Sequence, residues 1–340
     1  MSSDLSRQLG GGRLRQRLTA GGAAVLACLT ALAGAGALAV RMASDAGPAA
    51  GGGRSAMIGP GPAAADQVPR TSPPERTVRT VRTTSLSPGD DQVVGVGQPI
   101  RVVLDRAITG RATRTALERR LTVTTTPAVT GAWRWMSDTE LHFRAAAFWA
   151  PATTISLLVD LEGLELPDGT RGAGRHSTAF TVGDALTSTV DVAAKTMTVA
   201  RNGQVLRVLP ASMGAPGFDT RAGTFVVLEK FAEKVLDSDT LALPAGAAPY
   251  RLAVRDAVRI TNSGTFTHSA PWSLAVQGSR NVSHGCINLS PQDADWFYQQ
   301  TRRGDIVTVI NSPIGPIPTD AGSQDWNMSF EEWQRDNAHT

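Results

Sequence analysis

FTHSAPWSLAVQGSRNVSHGCINLSPQDADWFY, residues 266–298, is the stretch on which the fold and chemistry of this chain turn. Its second half announces a helix. Ser290 is a cap, Pro291 suits the first turn, Asp293 lies in the favourable N-terminal field, and Arg302-Arg303-Gly304 closes the element. Cys286 stands just before that start and directly after Gly285, which lets the backbone turn sharply. The amides of Gly285 and Cys286 are then available to an oxyanion. A thiol is a nucleophile at neutral pH only beside a base or in an electropositive setting. His284 shares a face with Cys286 if the segment is extended. His268, upstream at the end of a probable strand, must be delivered by the fold. On the residues alone, both histidines remain possible bases.

The chain holds two cysteines, Cys28 and Cys286. Cys28 sits in an apolar run from Leu18 to Val40 that follows Arg7, Arg13, Arg15 and Arg17. A run of that length spans a bilayer, and the preceding arginines place the N-terminus in the cytoplasm. An uncleaved anchor is the favoured expectation. A cleaved signal ending near Ala37-Leu38-Ala39 and a lipoprotein signal at Val25-Leu26-Ala27-Cys28 are the alternatives. All three export the rest of the chain, where Cys286 has no partner for an intrachain disulfide.

With 340 residues, 41% hydrophobic and 19% charged, the chain has room for two modest cores. A net charge of +3 and no basic stripe interleaved with aromatics argue against nucleic acid as a partner. Residues 1–43 are a cytoplasmic tail with the anchor or signal. Residues 44–79, rich in Gly, Ala and Pro, are a tether.

From there the texture is mainly β. Val93–Val96, Ile100–Leu104, Leu121–Val123, Trp133–Trp135, Leu141–Phe143 and Ile155–Val159 read as strands of a small β-sandwich over 80–183. His142 alternates with Leu141 and Phe143 and is expected to face solvent, while His176 falls in a polar loop. A second β-rich domain with few helices covers 184–312. Asn202-Gly203 joins a hairpin there, and strands are expected at Thr224–Leu228, Arg251–Val254, Val258–Ile260 and Ile306–Ile310. Trp296, Phe297 and Tyr298 read as core contacts of the capped helix. The tail 313–340, with Trp326, Phe330 and Trp333, is expected to pack back onto this second domain.

Ser283-His284-Gly285-Cys286-Ile287-Asn288, with His268-Ser269 upstream, resembles the signature of the L,D-transpeptidases with a YkuD-type catalytic domain. The likeness covers about residues 186–312. HSAPWS and the tail DWNMSFEEW are similar to actinobacterial members, which carry immunoglobulin-like domains before the catalytic one. The resemblance implies Cys286 as nucleophile and His268 as base, with Ser269 orienting His268 through its backbone carbonyl. It implies an oxyanion held by amides around His284, Gly285 and Cys286. Asn288, Trp272 and Gly264 match substrate-cleft positions, and Tyr250 an aromatic of a flap between Glu229 and Tyr250. Two departures stand out: Arg221-Ala222-Gly223 follows Thr220 where relatives have Thr-Pro, and Asn262 stands where they often have Tyr.

The implied reaction releases D-Ala from a tetrapeptide stem of peptidoglycan and passes the acyl group to a second stem. The partners are then donor and acceptor stem peptides and the membrane; no cofactor is needed and a monomer is expected. Hydrolysis at the same site is the nearest alternative. Zinc held by His284, Cys286 and His268, and a non-enzymatic wall-binding role, are the others.

Overall fold

The computed structural model describes residues 78–238, 251–316 and 325–335. The expected anchor or signal, the expected tether, Cys28 and Tyr250 lie outside them. Among the described residues no helix is long and apolar enough to cross a membrane.

The first domain is a sandwich of two four-stranded sheets. One sheet orders Val93–Val94, Arg175–Val182, Thr154–Asp160 and Leu121–Thr126. The other orders Thr83–Ser87, Ile100–Leu104, Glu140–Ala145 and Gly131–Trp135. Strict alternation of burial along Thr154–Asp160 shows the inward face, where Ile155, Leu157 and Val159 join Ile100, Val102 and Leu141 in the core. A short helix, Arg111–Glu118, adds Leu117 to that core. His176 lies on the exposed part of the strand Arg175–Val182 and not in a loop.

The second domain holds a five-stranded sheet in the order Gln204–Pro210, Thr196–Arg201, Leu186–Asp191, Ile306–Ile310, Gly223–Val226. A four-stranded sheet orders Glu229–Asp237, Arg251–Arg259, Phe266–Ser269 and Ile287–Leu289. The hairpin at Asn202-Gly203 forms with positive φ at both residues. Arg251–Val254 and Val258–Ile260 prove to be one strand, Arg251–Arg259, paired with Glu229–Asp237. Asp256 within it takes φ 53°, a local break that masks the continuity in the residue pattern. The helix Pro291–Gln300 begins as expected, the Ser290 hydroxyl accepting from the Asp293 amide at 3.0 Å. Phe297 is buried beneath it, with Trp296 and Tyr298 packed at the margin.

The two domains share a core, for Val226 and Ile306 of the second pack among the aliphatics of the first. The approach is close because of Gly95 and Gly97. A β-carbon on Gly95 would lie 2.1 Å from the Asp305 nitrogen, and one on Gly97 2.1 Å from the Ile306 side chain. Instead the two glycine amides donate to the carbonyls of Arg303 and Gly304, each at 2.8 Å.

The aromatic tail corrects an expectation. Trp326, Phe330 and Trp333 pack on the first domain, not the second. Trp333 is fully buried and donates its indole N–H to Ala132 O at 3.0 Å, while Trp326 donates to Gly97 O at 2.8 Å. The Arg144 guanidinium lies over all three rings. Asn327 reaches the second domain, pairing with both backbone groups of Thr224 at 2.7 and 2.8 Å.

That tail also buries His142, which is 2% exposed rather than facing solvent. Its two ring nitrogens meet Asp325 at 2.8 Å and Glu140 at 2.7 Å. Burial by itself disfavours the imidazolium, but the carboxylates of Asp325 and Glu140 outweigh it and lift the pKa to about 9. Glu140 is held down at about 2, mainly by its bond to His142. A raised folded-state pKa adds stability that is complete below the ordinary value of 6.5 and is lost as pH rises through about 9. We therefore expect the unfolding midpoint to fall between those two pH values, and the fall to shrink in His142→Gln. Thermal denaturation followed against pH checks this; an identical pH dependence in the variant contradicts it.

Candidate active site

Cys286 and His268 are brought together by strand pairing. Phe266–Ser269 and Ile287–Leu289 run parallel with His268 opposite Asn288. Side chains alternate along a strand, so Cys286, two residues before Asn288, shares the face that His268 presents. The two line one cavity of about 360 Å³ with Trp272, Ser283, His284, Asn288, Leu236 and Leu252. The strands Glu229–Asp237 and Arg251–Arg259 thus supply one wall of the cleft. The remainder of the expected flap, with Tyr250, lies outside the described residues.

Each member is held in a definite way. His268 Nδ1 sits 3.0 Å from the Ser269 carbonyl, which fixes that nitrogen as the N–H donor and leaves Nε2 as the acceptor. The thiol of Cys286 points to the Gly264 carbonyl at 3.9 Å and packs among Phe266, Leu236 and Val254. Gly285 adopts φ 86°, the left-handed region that other residues reach only with strain. That turn breaks the extended course assumed for Ser283–Cys286. His284 nonetheless lines the same cleft as Cys286. It is exposed, its ring edge-on to Phe218 at 4.2 Å. The Ser283 hydroxyl donates to the Cys286 carbonyl at 2.7 Å and ties the loop to the strand that follows.

Trp272 stands at the mouth, 53% exposed, its ring 5.9 Å from that of His268. Asn288 is buried, donating to the Ser273 hydroxyl at 3.4 Å and sharing two backbone hydrogen bonds with Ser212. Ser212 carries no signal in the sequence, because its partners Arg280, Val282 and Asn288 lie far along the chain. Asn262 is an exposed turn residue whose carbonyl accepts from Arg259 at 2.7 Å. Among the described residues no three His, Cys, Asp or Glu side chains converge as metal ligands.

Burial decides the protonation of the pair. It pushes the Cys286 thiol up to about 11, and it lowers His268 despite the opposing bond to Ser269. Both shifts favour the uncharged forms, a thiol and a neutral imidazole.

The fold and the cleft place the chain in a class. A bacterial Ig domain model matches residues 64–165, and a model of the L,D-transpeptidase catalytic domain matches residues 187–309. L,D-transpeptidase 2 of Mycobacterium tuberculosis is 40% identical over 254 residues, covering 74% of this chain and 62% of that relative. This chain thus spans less than two thirds of that relative's length. L,D-transpeptidase 1 of the same organism is 38% identical over 227 residues, covering 66% of this chain and 84% of the relative. An L,D-transpeptidase solved in complex with imipenem superimposes with a TM-score of 0.59 at 37% identity, covering 67% of this chain and 98% of the other. L,D-transpeptidase 3 of M. tuberculosis, solved with a faropenem-derived adduct, gives 0.56 at 35% identity, covering 67% and 97%. The chain belongs to the L,D-transpeptidase family.

The neutral pair makes a measurable claim about the free protein. Titration of thiolate ultraviolet absorbance should place the Cys286 midpoint well above the value of about 8.5 of an unperturbed cysteine. A thiolate already formed at neutral pH would contradict the buried, uncharged site.

Proposed function

We propose that the chain is a peptidoglycan L,D-transpeptidase that works through a Cys286 thioester. The observation that carries this is the sharing of one cleft by Cys286 and a His268 whose Nδ1 is tied to the Ser269 carbonyl. In this mechanism the sulfur attacks the carbonyl of the third residue of a tetrapeptide stem as its proton passes to His268 Nε2. The amides of Gly285 and Cys286 face the oxygen that gains charge. Collapse returns the proton from His268 to the leaving nitrogen, breaks the peptide bond and releases D-Ala. The side-chain amine of a second stem then attacks the thioester, giving a 3→3 cross-link and restoring the thiol. Because the free pair is neutral, proton transfer and attack are coupled, and the base is needed in the acylation step itself.

Leu236 and Leu252 line the cleft with apolar surface, the kind of surroundings that disfavour water beside a thioester. Asn288 and Trp272 are assigned to hold the stem in the cleft. Relatives solved with imipenem and with a faropenem-derived adduct support β-lactams of this kind as probes of the thiol.

Imipenem should add one adduct to the wild-type protein and none to Cys286→Ala. Tetrapeptide muropeptides should give cross-linked dimers and free D-Ala by mass analysis. His268→Gln should slow acylation by roughly 10²–10⁴, the usual cost of a lost general base, with partial recovery at high pH. His284→Ala should lower the rate without that recovery. An equal adduct on Cys286→Ala, or alkaline recovery confined to the His284 variant, would overturn these roles.

The apolar run Leu18–Val40 behind its arginines supports a membrane anchor, with both domains outside the cytoplasm and within reach of the wall. Protease added to intact protoplasts should release a fragment that contains Cys286. Full protection of that fragment would reverse the orientation.

A further inference from the structure

The loop between Met213 and Thr220 lies under the Cys286 turn, and one of its side chains is placed to govern the turn's geometry. Thr220 is 1% exposed. Its hydroxyl donates to the Gly285 carbonyl at 2.9 Å and accepts from the Gly214 amide at 3.0 Å. Gly214 is itself clamped to the turn, since its neighbours bond across to Ser283: Ser283 N donates to Met213 O at 3.0 Å and Ala215 N to Ser283 O at 2.7 Å. Thr220 therefore bridges two strands of backbone, with both capacities of its hydroxyl in use.

The consequence follows from the planarity of the peptide bond. The Gly285 carbonyl and the Cys286 N–H belong to one trans peptide unit and point in opposite directions. A hydrogen bond that draws the carbonyl down to Thr220 turns the Cys286 N–H the other way. Among the described residues neither the Gly285 nor the Cys286 amide is taken by a protein acceptor. Gly285, at φ 86° and with only Phe218 O within 4 Å of a notional β-carbon, offers no steric barrier of its own to rotation of that unit. The Ser283 hydroxyl fixes the next carbonyl, that of Cys286, but leaves the Gly285–Cys286 unit to Thr220.

We infer that Thr220 is a positioning residue for acyl transfer, aiming the Cys286 amide at the oxygen that becomes an oxyanion. It touches no substrate; it acts through the Gly285 carbonyl. This rests on the function proposed above and extends it to a residue some sixty-five positions from the thiol.

The test uses imipenem and the full-length chain, with acylation followed at saturating and limiting probe across pH. Thr220→Val keeps the shape and removes both hydrogen bonds; Thr220→Ser restores the hydroxyl; Thr220→Ala gives a second deletion should the valine variant not fold. Loss of a direct oxyanion donor costs about 10²–10³ in rate, so an indirect loss should cost roughly 10- to 100-fold. That loss should fall on the maximal rate and not on the half-saturating concentration. The pH profile should keep its wild-type position, and Thr220→Ser should recover most of the rate. Full rate in the folded valine or alanine variant would overturn the inference, as would a serine variant as slow as they are. So would a defect confined to half-saturation. A wild-type chain that imipenem does not acylate would instead overturn the function on which the inference stands, and the wild-type control separates the two.

Discussion

Everything chemical in this molecule depends on the parallel pairing of Phe266–Ser269 with Ile287–Leu289 in one register. With His268 opposite Asn288, the imidazole, the amide and the thiol two residues earlier face one cleft. A slip of one residue would turn each of these side chains to the opposite face, since strand side chains alternate with period two. The register is protected from both sides. Asn288 exchanges backbone hydrogen bonds with Ser212, and the Ala270 amide donates to Leu289 O just beyond the pair. The helix Pro291–Gln300 follows immediately and packs Ala294 and Phe297 into the same core as Ile287 and Leu289.

The same burial that secures the geometry sets the chemistry. Taking Cys286 and His268 out of water disfavours the charged form of each and favours thiol and imidazole. The Ser269 carbonyl contributes by holding the tautomer and not by supplying charge. Gly285 takes its turn at φ 86°, and among the described residues neither its amide nor that of Cys286 is bonded to a protein acceptor.

The sandwich domain is fastened to the catalytic one by backbone contact and not by a flexible link. Gly95 and Gly97 admit the loop Arg303–Asp305 to within hydrogen-bonding distance, and Val226 and Ile306 complete the first domain's core. The tail then crosses both, with Asn327 on the catalytic sheet and Trp326 and Trp333 on the sandwich. It covers the strand Glu140–Ala145 on its second face, which is how an alternating Leu-His-Phe triplet comes to be buried throughout. His142 tolerates that position only because two carboxylates meet its two nitrogens.

Local signals were legible in the residues alone. The cap at Ser290, the turn at Asn202-Gly203, the mainly β texture and the lone thiol after a glycine each state their meaning within a few positions. The signature around Cys286, with His268-Ser269 upstream, named the pair that the fold places in one cleft. What the chain order conceals is every partnership made across distance. The sequence could not show that the His284 ring lies edge-on to Phe218, because only the fold brings those two residues together. Nor could it show that the aromatic tail belongs to the first domain, or that Asp325 waits for His142. Thr220 was visible only as the residue before a departure from the family pattern; its hydrogen bond to Gly285 exists because two loops are folded together. Periodicity and capping are properties of neighbours and can be read in order, whereas burial, charge pairing and the aim of a backbone amide are set by whatever the tertiary structure brings alongside.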